Sequence, residues 1–275
     1  MRSFLKILLL FFITASTLVG EHGDLDKRIA DLSSTIAISP DSAELYFQRG
    51  KLRLQHEEYE LCIADIKTSM QKGYLHDFQN IYLAKSFINI KQYQNALLSL
   101  NDFDKLNPSH VVSMKLRAKA LYGLNEFKSA AEWYEKVIHN TIKSLPENYL
   151  EASNAWMSSN VSSKYDKSVQ ILELGLEKLG PIITLQNELI EIHLVNENYD
   201  KAIEQQKSII DHTQRKESSL YRLAEIYAQI GDDENAIIAL KEAKIHLDNL
   251  PLRIRKNSAM QALDQKIKQL TTKLN

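Results

Sequence analysis

The chain has 275 residues, of which 44% are hydrophobic and 25% charged, and its formal net charge at pH 7 is −1. This hydrophobic content is sufficient for a folded core and excludes general intrinsic disorder. The near-neutral charge gives no electrostatic reason to expect nucleic-acid binding. Cys62 is the single cysteine, so an internal disulfide is excluded, and we interpret it as a packing residue.

The first twenty residues have the layout of a secretory signal. Arg2 and Lys6 precede an apolar run, ILLLFFITA at residues 7–15, and small residues follow it. The run is short for a membrane-spanning helix. We therefore predict a signal peptide at residues 1–20 and an exported protein, periplasmic or extracellular, that contacts the membrane only during export. An uncleaved N-terminal anchor is the alternative.

A small residue then recurs along the chain at a nearly constant interval. The interval is 34 residues except for one of 38, and an aromatic residue stands three positions before each of the first five small residues. The small residues are Cys62, Ala96, Ala130, Ser168, Ala202 and Ala236, and the aromatic residues are Tyr59, Tyr93, Phe127, Tyr165 and Tyr199. A fixed period of this length is typical of a solenoid of helix pairs.

Within each period, apolar residues at spacings of three and four lie on both sides of a short polar break, which predicts two amphipathic helices joined by a turn. We predict a half-repeat helix at residues 21–42, six repeats, and a C-terminal capping helix at residues 247–275. The predicted repeats are residues 43–76, 77–110, 111–148, 149–182, 183–216 and 217–246. The four extra residues of the long interval are expected between Ile138 and Tyr149.

These residues resemble the tetratricopeptide repeat family. The second and sixth repeats fit its pattern well, through Leu83, Ala84, Phe87, Ala96, Leu100 and Pro108 and through Leu223, Ala224, Tyr227, Ala236 and Leu240. The resemblance implies an all-α fold, a right-handed superhelical solenoid of antiparallel helix pairs whose first helices line a concave groove. Trp156 and Ile190 stand where the family has Gly or Ala, so we expect the fourth and fifth repeats to pack at a shifted angle.

The sequence offers no place for an enzyme active site. The half-repeat, the six repeats and the cap occupy essentially all of the chain after residue 20. The eight histidines show no metal-ligand spacing, and there is no glycine-rich phosphate loop. No Ser-His-Asp arrangement follows from spacing alone. We therefore expect no catalytic activity, no metal and no cofactor.

The resemblance also implies which residues face the groove. Lysines recur at one inner position, Lys51, Lys85 and Lys119, and Lys115 lies one turn before the last of them. Apolar residues predicted on the same face are Phe47, Leu54, Phe78, Ile81, Ile88 and Tyr122. In the second half of the chain the inner residues are more acidic and polar, and they include Asn187, Glu191, Tyr221 and Glu225.

These features predict a non-catalytic module that binds a protein or peptide in the groove. Our hypothesis is that the first three repeats hold a segment with acidic and apolar residues, whose carboxylates meet the lysines. The alternative is that the lysines are ordinary exposed residues on helix faces. In chaperone-adaptor members of the family, groove lysines and asparagines bind a C-terminal carboxylate. Lys115 and Lys119 match that basic pair, but the rest of the set is incomplete, so the activity is not transferred.

The C-terminal helix combines a basic surface with an apolar stripe. Asp264 is its one acidic residue among six Lys and Arg residues from Arg253 to Lys273, and the stripe runs from Met260 to Leu274. This pattern favours a capping helix. It also allows a homodimer formed through this helix, a structural self-associating protein. A membrane-surface contact and an accessory subunit of a separately encoded enzyme are further alternatives.

Overall fold

The computed structural model describes residues 23–274, and the predicted signal peptide at residues 1–20 lies outside them. These residues form fifteen α-helices, and no strand occurs among them. In chain order the helices are α1 (residues 23–38), α2 (Ala43–Gln55), α3 (Tyr59–Gln71), α4 (Gln79–Asn89), α5 (Tyr93–Leu106), α6 (Val111–Gly123), α7 (Phe127–Asn140), α8 (Pro146–Ser158), α9 (Lys164–Leu179), α10 (Ile183–Val195), α11 (Tyr199–His212), α12 (Glu217–Gln229), α13 (Asp233–Asp248), α14 (Leu252–Arg255) and α15 (Ser258–Leu274).

The helices divide between two compact units, a first unit that ends at Thr141 and a second that begins at Ile142. In both, consecutive helices pack as pairs, from α2 with α3 to α12 with α13. In the first unit the leading helices of successive pairs also touch, α2 with α4 and α4 with α6. The predicted all-α fold of consecutive helix pairs is confirmed.

The recurrent small residues lie where the two helices of a pair approach each other. All six have an exposed fraction of 0%. Helix axes can approach to about 8–10 Å only where the facing side chains are short. The residue that the opposite helix brings to such a contact is also small. A Cβ added to Gly50 in α2 would lie 2.9 Å from Cδ1 of Ile66 in α3. Burial raises the pKa of the Cys62 thiol, which favours its neutral form and fits its predicted role in packing.

The turn inside a helix pair has its own repeated geometry. In five pairs it is three residues long, and its middle residue has a positive φ, between 56° and 76°. These residues are Glu57, Lys91, Asn125, Glu197 and Gly231. The left-handed conformation reverses the chain in few residues, and only at Gly231 does the sequence carry the residue that adopts it without steric cost.

The fourth pair departs from this pattern. Its turn, residues 159–163, has five residues, and Ser163 at its end has φ −87°. In the other five pairs, the residue of the first helix that faces the recurrent small residue precedes it by 12 positions, as Gly50 precedes Cys62. In the fourth pair Ser153 precedes Ser168 by 15 positions. The Ser168 hydroxyl donates to the Ser153 carbonyl at 3.1 Å, so these two residues mark the contact.

Two expectations about this region are therefore corrected. Most of the extra residues of the long interval lie in the α8–α9 turn and the first turn of α9, not between Ile138 and Tyr149. Ser153, not Trp156, marks the close contact of the fourth pair, and the Trp156 side chain, three positions later, is buried. In the fifth pair Ile190 does hold the equivalent position, and it is buried.

A buried carboxylate joins α1 to the first pair. Both oxygens of Asp65 in α3 accept hydrogen bonds from the guanidinium of Arg49, at 2.7 and 2.8 Å, and Arg53 adds a third at 2.7 Å. Arg49 also donates to the Ser33 hydroxyl of α1 at 3.0 Å. Because Asp65 is almost fully buried, this set of bonds is needed to offset the loss of its hydration.

At the other end of the chain, α15 uses its apolar stripe inside the second unit. Leu263 and Ile267 are buried in a core shared with Leu240 and Leu247 of α13, and Met260, Leu270 and Leu274 pack against the same core. The stripe that could have formed a contact between two copies is therefore occupied within the chain.

We predict that Ala96→Leu lowers the free energy of unfolding by roughly 1–3 kcal/mol, because the added side chain overpacks a contact with no free space. Chemical denaturation followed by helical circular dichroism would measure the change. Ala64→Leu, at an exposed position of α3, is the matched control and should change stability little. An Ala96→Leu protein as stable as the control would contradict the helix contact.

A second prediction concerns His193, which is buried in α10 with its Nδ1 atom lacking a hydrogen-bond partner. Burial lowers the pKa of His193, nearby Lys201 lowers it further, and Glu204 opposes them. In the unfolded chain a histidine titrates at about pH 6.5. As the pH falls through this value, the unfolded state takes up a proton that the folded state does not, so stability decreases.

We therefore expect the wild-type protein to lose more free energy of unfolding between about pH 7 and pH 5.5 than a His193→Leu variant does. Urea titrations at both pH values would measure the difference. His212→Leu, at an exposed position of the same unit, should keep the wild-type dependence. Equal pH dependence in the wild type and His193→Leu would show that His193 does not contribute.

Candidate functional site

The candidate site is the face formed by the leading helices of the first unit, α2, α4 and α6, which we call the inner face. Lys51, Lys85 and Lys119 lie one on each helix, 34 residues apart in sequence. Because α2 contacts α4 and α4 contacts α6, the three lysines occupy equivalent positions on neighbouring helices. Lys119 is exposed, and Lys51, Lys85 and Lys115 are half-buried.

The apolar residues predicted for this face differ in accessibility. Phe78 and Tyr122 are exposed, at 37% and 38%, and Leu54 and Ile88 are half-buried against the core of the unit. Phe47 and Ile81 are buried, with exposed fractions of 3% and 2%. These two residues are therefore core residues that support the face, which corrects their assignment as direct contacts. The resemblance placed them on the inner face, but Phe47 packs against rings of the loop before α4, and both residues belong to the core of the unit.

A cluster of aromatic and histidine side chains, which the sequence analysis did not identify, lies beside the inner face. It consists of Phe47, Tyr74, His76, Phe78, Tyr82, Phe103 and His110. The ring of Phe47 lies 4.4 Å from His76 and 5.2 Å from Tyr74, centroid to centroid. Phe78 lies 5.5 Å from His110. The alternation of Tyr74, His76 and Phe78 in the loop before α4 is the feature of the sequence from which this cluster could have been predicted.

This aromatic cluster leaves part of its surface open. His76 and Phe78 are exposed, and Leu75 between Tyr74 and His76 is almost fully exposed. Offset and edge-to-face pairs of rings hold one another in position. The result is a partly open apolar patch of rings that hold one another in position.

One lysine is held by this cluster. The ammonium of Lys51 lies 5.6 Å from the centroid of the Phe47 ring, within the range of a cation–π contact. Lys51 also lines a cleft of about 540 Å³ between α1 and α2, together with Arg28, Asp31 and Gln55. The sequence did not predict this cleft, because it depends on how α1 packs against α2.

The second unit has a different charge pattern on its leading helices. Arg222 of α12 lies 2.5 Å from Glu191 of α10 and 3.5 Å from Glu225, so the acidic residues predicted there are partly neutralised. Burial, together with the neighbouring charge of Glu191, raises the pKa of Glu188. Burial also raises the pKa of Tyr221, and Glu225 adds to this effect.

Two further features, a metal-binding cluster and a membrane-spanning helix, are absent from residues 23–274. No group of three or more His, Cys, Asp or Glu side chains in this range is arranged to hold a metal ion. No helix in the same range is long and apolar enough to cross a bilayer.

Sequence comparison identifies one repeat directly. The family model described as tetratricopeptide repeat matches residues 217–244, which comprise α12 and most of α13. This is the sixth predicted repeat, the one that also fits the family pattern well. No curated protein matches the chain in sequence.

Comparison of structures extends the likeness over most of the chain. The C-terminal part of a TPR repeat-containing protein from Cytophaga hutchinsonii matches with a TM-score of 0.66 and 17% identity, over 83% of this chain and 95% of that chain. A tetratricopeptide repeat protein from Parabacteroides merdae matches with a TM-score of 0.54 and 14% identity, over 91% and 93%. MamA from Desulfovibrio magneticus, from residue 41 to its end, matches with a TM-score of 0.53 and 16% identity, over 62% and 94%.

At these identities the solved structures establish the fold and not the partner. Together with the matching repeat, they confirm the resemblance on which the sequence analysis relied. Residues 217–244 match the tetratricopeptide repeat model, and the described chain has the tetratricopeptide-repeat fold.

Proposed function

We propose that this chain is a non-catalytic binding module whose inner face, on α2, α4 and α6, binds a peptide segment of a partner protein. The segment carries acidic and apolar residues, in an extended or helical conformation. Stacked helix pairs commonly present such a surface to a partner, and this general role supports the proposal.

One observation carries the proposal. Lys51, Lys85 and Lys119 recur at one register on three neighbouring helices, and two exposed rings belong to the same helices, Phe78 at the start of α4 and Tyr122 in α6. Cations in a row on helices that also carry exposed rings match a ligand that combines carboxylates with apolar side chains. Neither feature alone would favour that class of ligand.

The two features contribute differently to binding. Exposed ion pairs are worth only about 0.2–1 kcal/mol each, so the lysines mainly set the orientation and the choice of ligand. The apolar contacts supply most of the affinity, because burial of aromatic surface at the centre of an interface is the larger effect. The aromatic cluster keeps the Phe78 ring in place before binding, and Tyr122 packs on Phe127, which reduces the entropy lost on association.

Two alternatives are less well supported. Self-association through the apolar stripe of α15 conflicts with the burial of Leu263 and Ile267 inside the second unit. An accessory role beside a separately encoded enzyme has no observation in its favour.

We further propose that binding takes place after export, because residues 1–20 have the pattern of a signal peptide. N-terminal sequencing and cell fractionation would test this. Recovery of the chain from the cytoplasm with residues 1–20 still attached would contradict export.

The test of the binding site is a charge reversal, Lys51→Glu with Lys85→Glu and Lys119→Glu. The chain lacking residues 1–20 would be used as bait for the extracytoplasmic fraction of its native cells, and the partner identified by mass spectrometry. The affinity of that partner would then be measured for each variant. Loss of three surface ion pairs predicts that the binding free energy weakens by roughly 0.6–3 kcal/mol, a factor of about 3 to 150 in Kd.

The matched control reverses the charge of three exposed lysines on the second helices of the pairs, α3, α5 and α7: Lys67→Glu, Lys105→Glu and Lys128→Glu. Both variants change the net charge by the same amount. This variant should retain the partner with little change in affinity. Equal binding by the wild type and both variants would show that the inner lysines are ordinary solvated residues.

A further inference from the structure

A second surface, separate from the inner face, lies in the second unit. It is a groove of about 570 Å³ between α13 and α15, which we call the α13–α15 groove. Its floor is formed by Leu240, Ile245 and Ile267, and three lysines, Lys241, Lys244 and Lys268, stand along it. Leu240 and Ile267 belong to the core of the unit, whereas Ile245 is 60% exposed.

Ile245 is an exception within the repeat pattern. The residues at the same register in the five preceding pairs are polar and exposed: Gln71, Lys105, His139, Glu177 and Asp211. A large apolar side chain at this position has no role in packing its own pair, since the other pairs fold with polar residues there. Exposed apolar surface in a concave site is typical of a binding groove.

Around the groove, the three lysines outnumber the two carboxylates that pair with them, Asp248 and Asp264. Asp264 of α15 lies between Lys244 of α13, at 3.0 Å, and Lys268, at 2.6 Å, so both of its oxygens are engaged. Lys244 also pairs with Asp248 at 2.7 Å. Each ammonium has three N–H donors, so these contacts do not exhaust the lysines, and exposed Lys241 adds a third cation.

We propose that the α13–α15 groove binds one amphipathic helix of a partner protein, with acidic residues on the flanks of its apolar stripe. An open groove between two helices suits a helical ligand, whose side chains at spacings of three and four reach the floor. The acidic flanks would pair with Lys241, Lys244 and Lys268. A basic or neutral helix could not form these ion pairs.

The same charges argue against two other occupants. The apolar run at residues 7–15 follows Arg2 and Lys6, so this basic segment would meet lysines of the same sign. A second copy that docked through its own groove would likewise bring the two sets of lysines together, which costs free energy.

The test uses two labelled synthetic peptides of about 18 residues, long enough to form a helix, that share one leucine stripe. One has glutamates and the other lysines beside the stripe. Because the inner face is also proposed to take acidic segments, fluorescence anisotropy titrations use the full chain after residue 20 with Lys51→Glu, Lys85→Glu and Lys119→Glu. We expect the acidic peptide to bind at least about tenfold more tightly than the basic one.

Ile245→Asp should weaken the acidic peptide by about tenfold or more, because it removes the exposed apolar part of the floor. The change preserves the fold, since Asp211 already occupies that register in α11. Ile38→Asp, at a highly exposed apolar position of the first unit, is the matched control and should leave binding unchanged.

Equal binding of the two peptides, or undiminished binding by Ile245→Asp, would overturn the proposal. Sedimentation analysis of the same proteins completes the test. A wild-type dimer that Ile245→Asp dissociates would also overturn it, since a second copy would then be the occupant.

Discussion

The close contact between the two helices of each pair is the constraint on which the rest of this structure depends. The six small residues from Cys62 to Ala236 are fully buried, because two helix axes can come together only where a side chain is short. Once that contact recurs every 34 residues, every other position on a helix recurs with it. The equivalent placement of Lys51, Lys85 and Lys119 is a consequence of this register.

The fourth pair shows that the contact is maintained while the connection varies. Its turn has five residues and lacks the left-handed residue of the other five, yet the Ser168 hydroxyl still reaches the Ser153 carbonyl. Lengthening a surface turn costs little free energy, because the entropy of loop closure changes slowly with length. Separating the helices would expose apolar surface and cost more.

The two surfaces of interest differ in how they are held. The inner face of the first unit is positioned by rings that pack on one another, with Lys51 over Phe47. The α13–α15 groove is held by charge, through Asp264 between Lys244 and Lys268. The hydrogen bond from Lys268 and the ion pair with Lys244 lower the pKa of Asp264, so this carboxylate remains ionised under ordinary conditions. The two sites are therefore expected to respond differently to salt.

The sequence by itself determined the consecutive helix pairs and the buried small residues, because each leaves a periodic mark on the chain. Only the tertiary structure decided that Phe47 and Ile81 are covered, that Arg222 neutralises Glu191, and that Ile245 stands open in a groove. These properties depend on neighbours from other helices, and a periodicity carries no information about them. The left-handed turns at Glu57 and Lys91 were also undetectable, because packing of the pair imposes on them a conformation that their side chains do not favour.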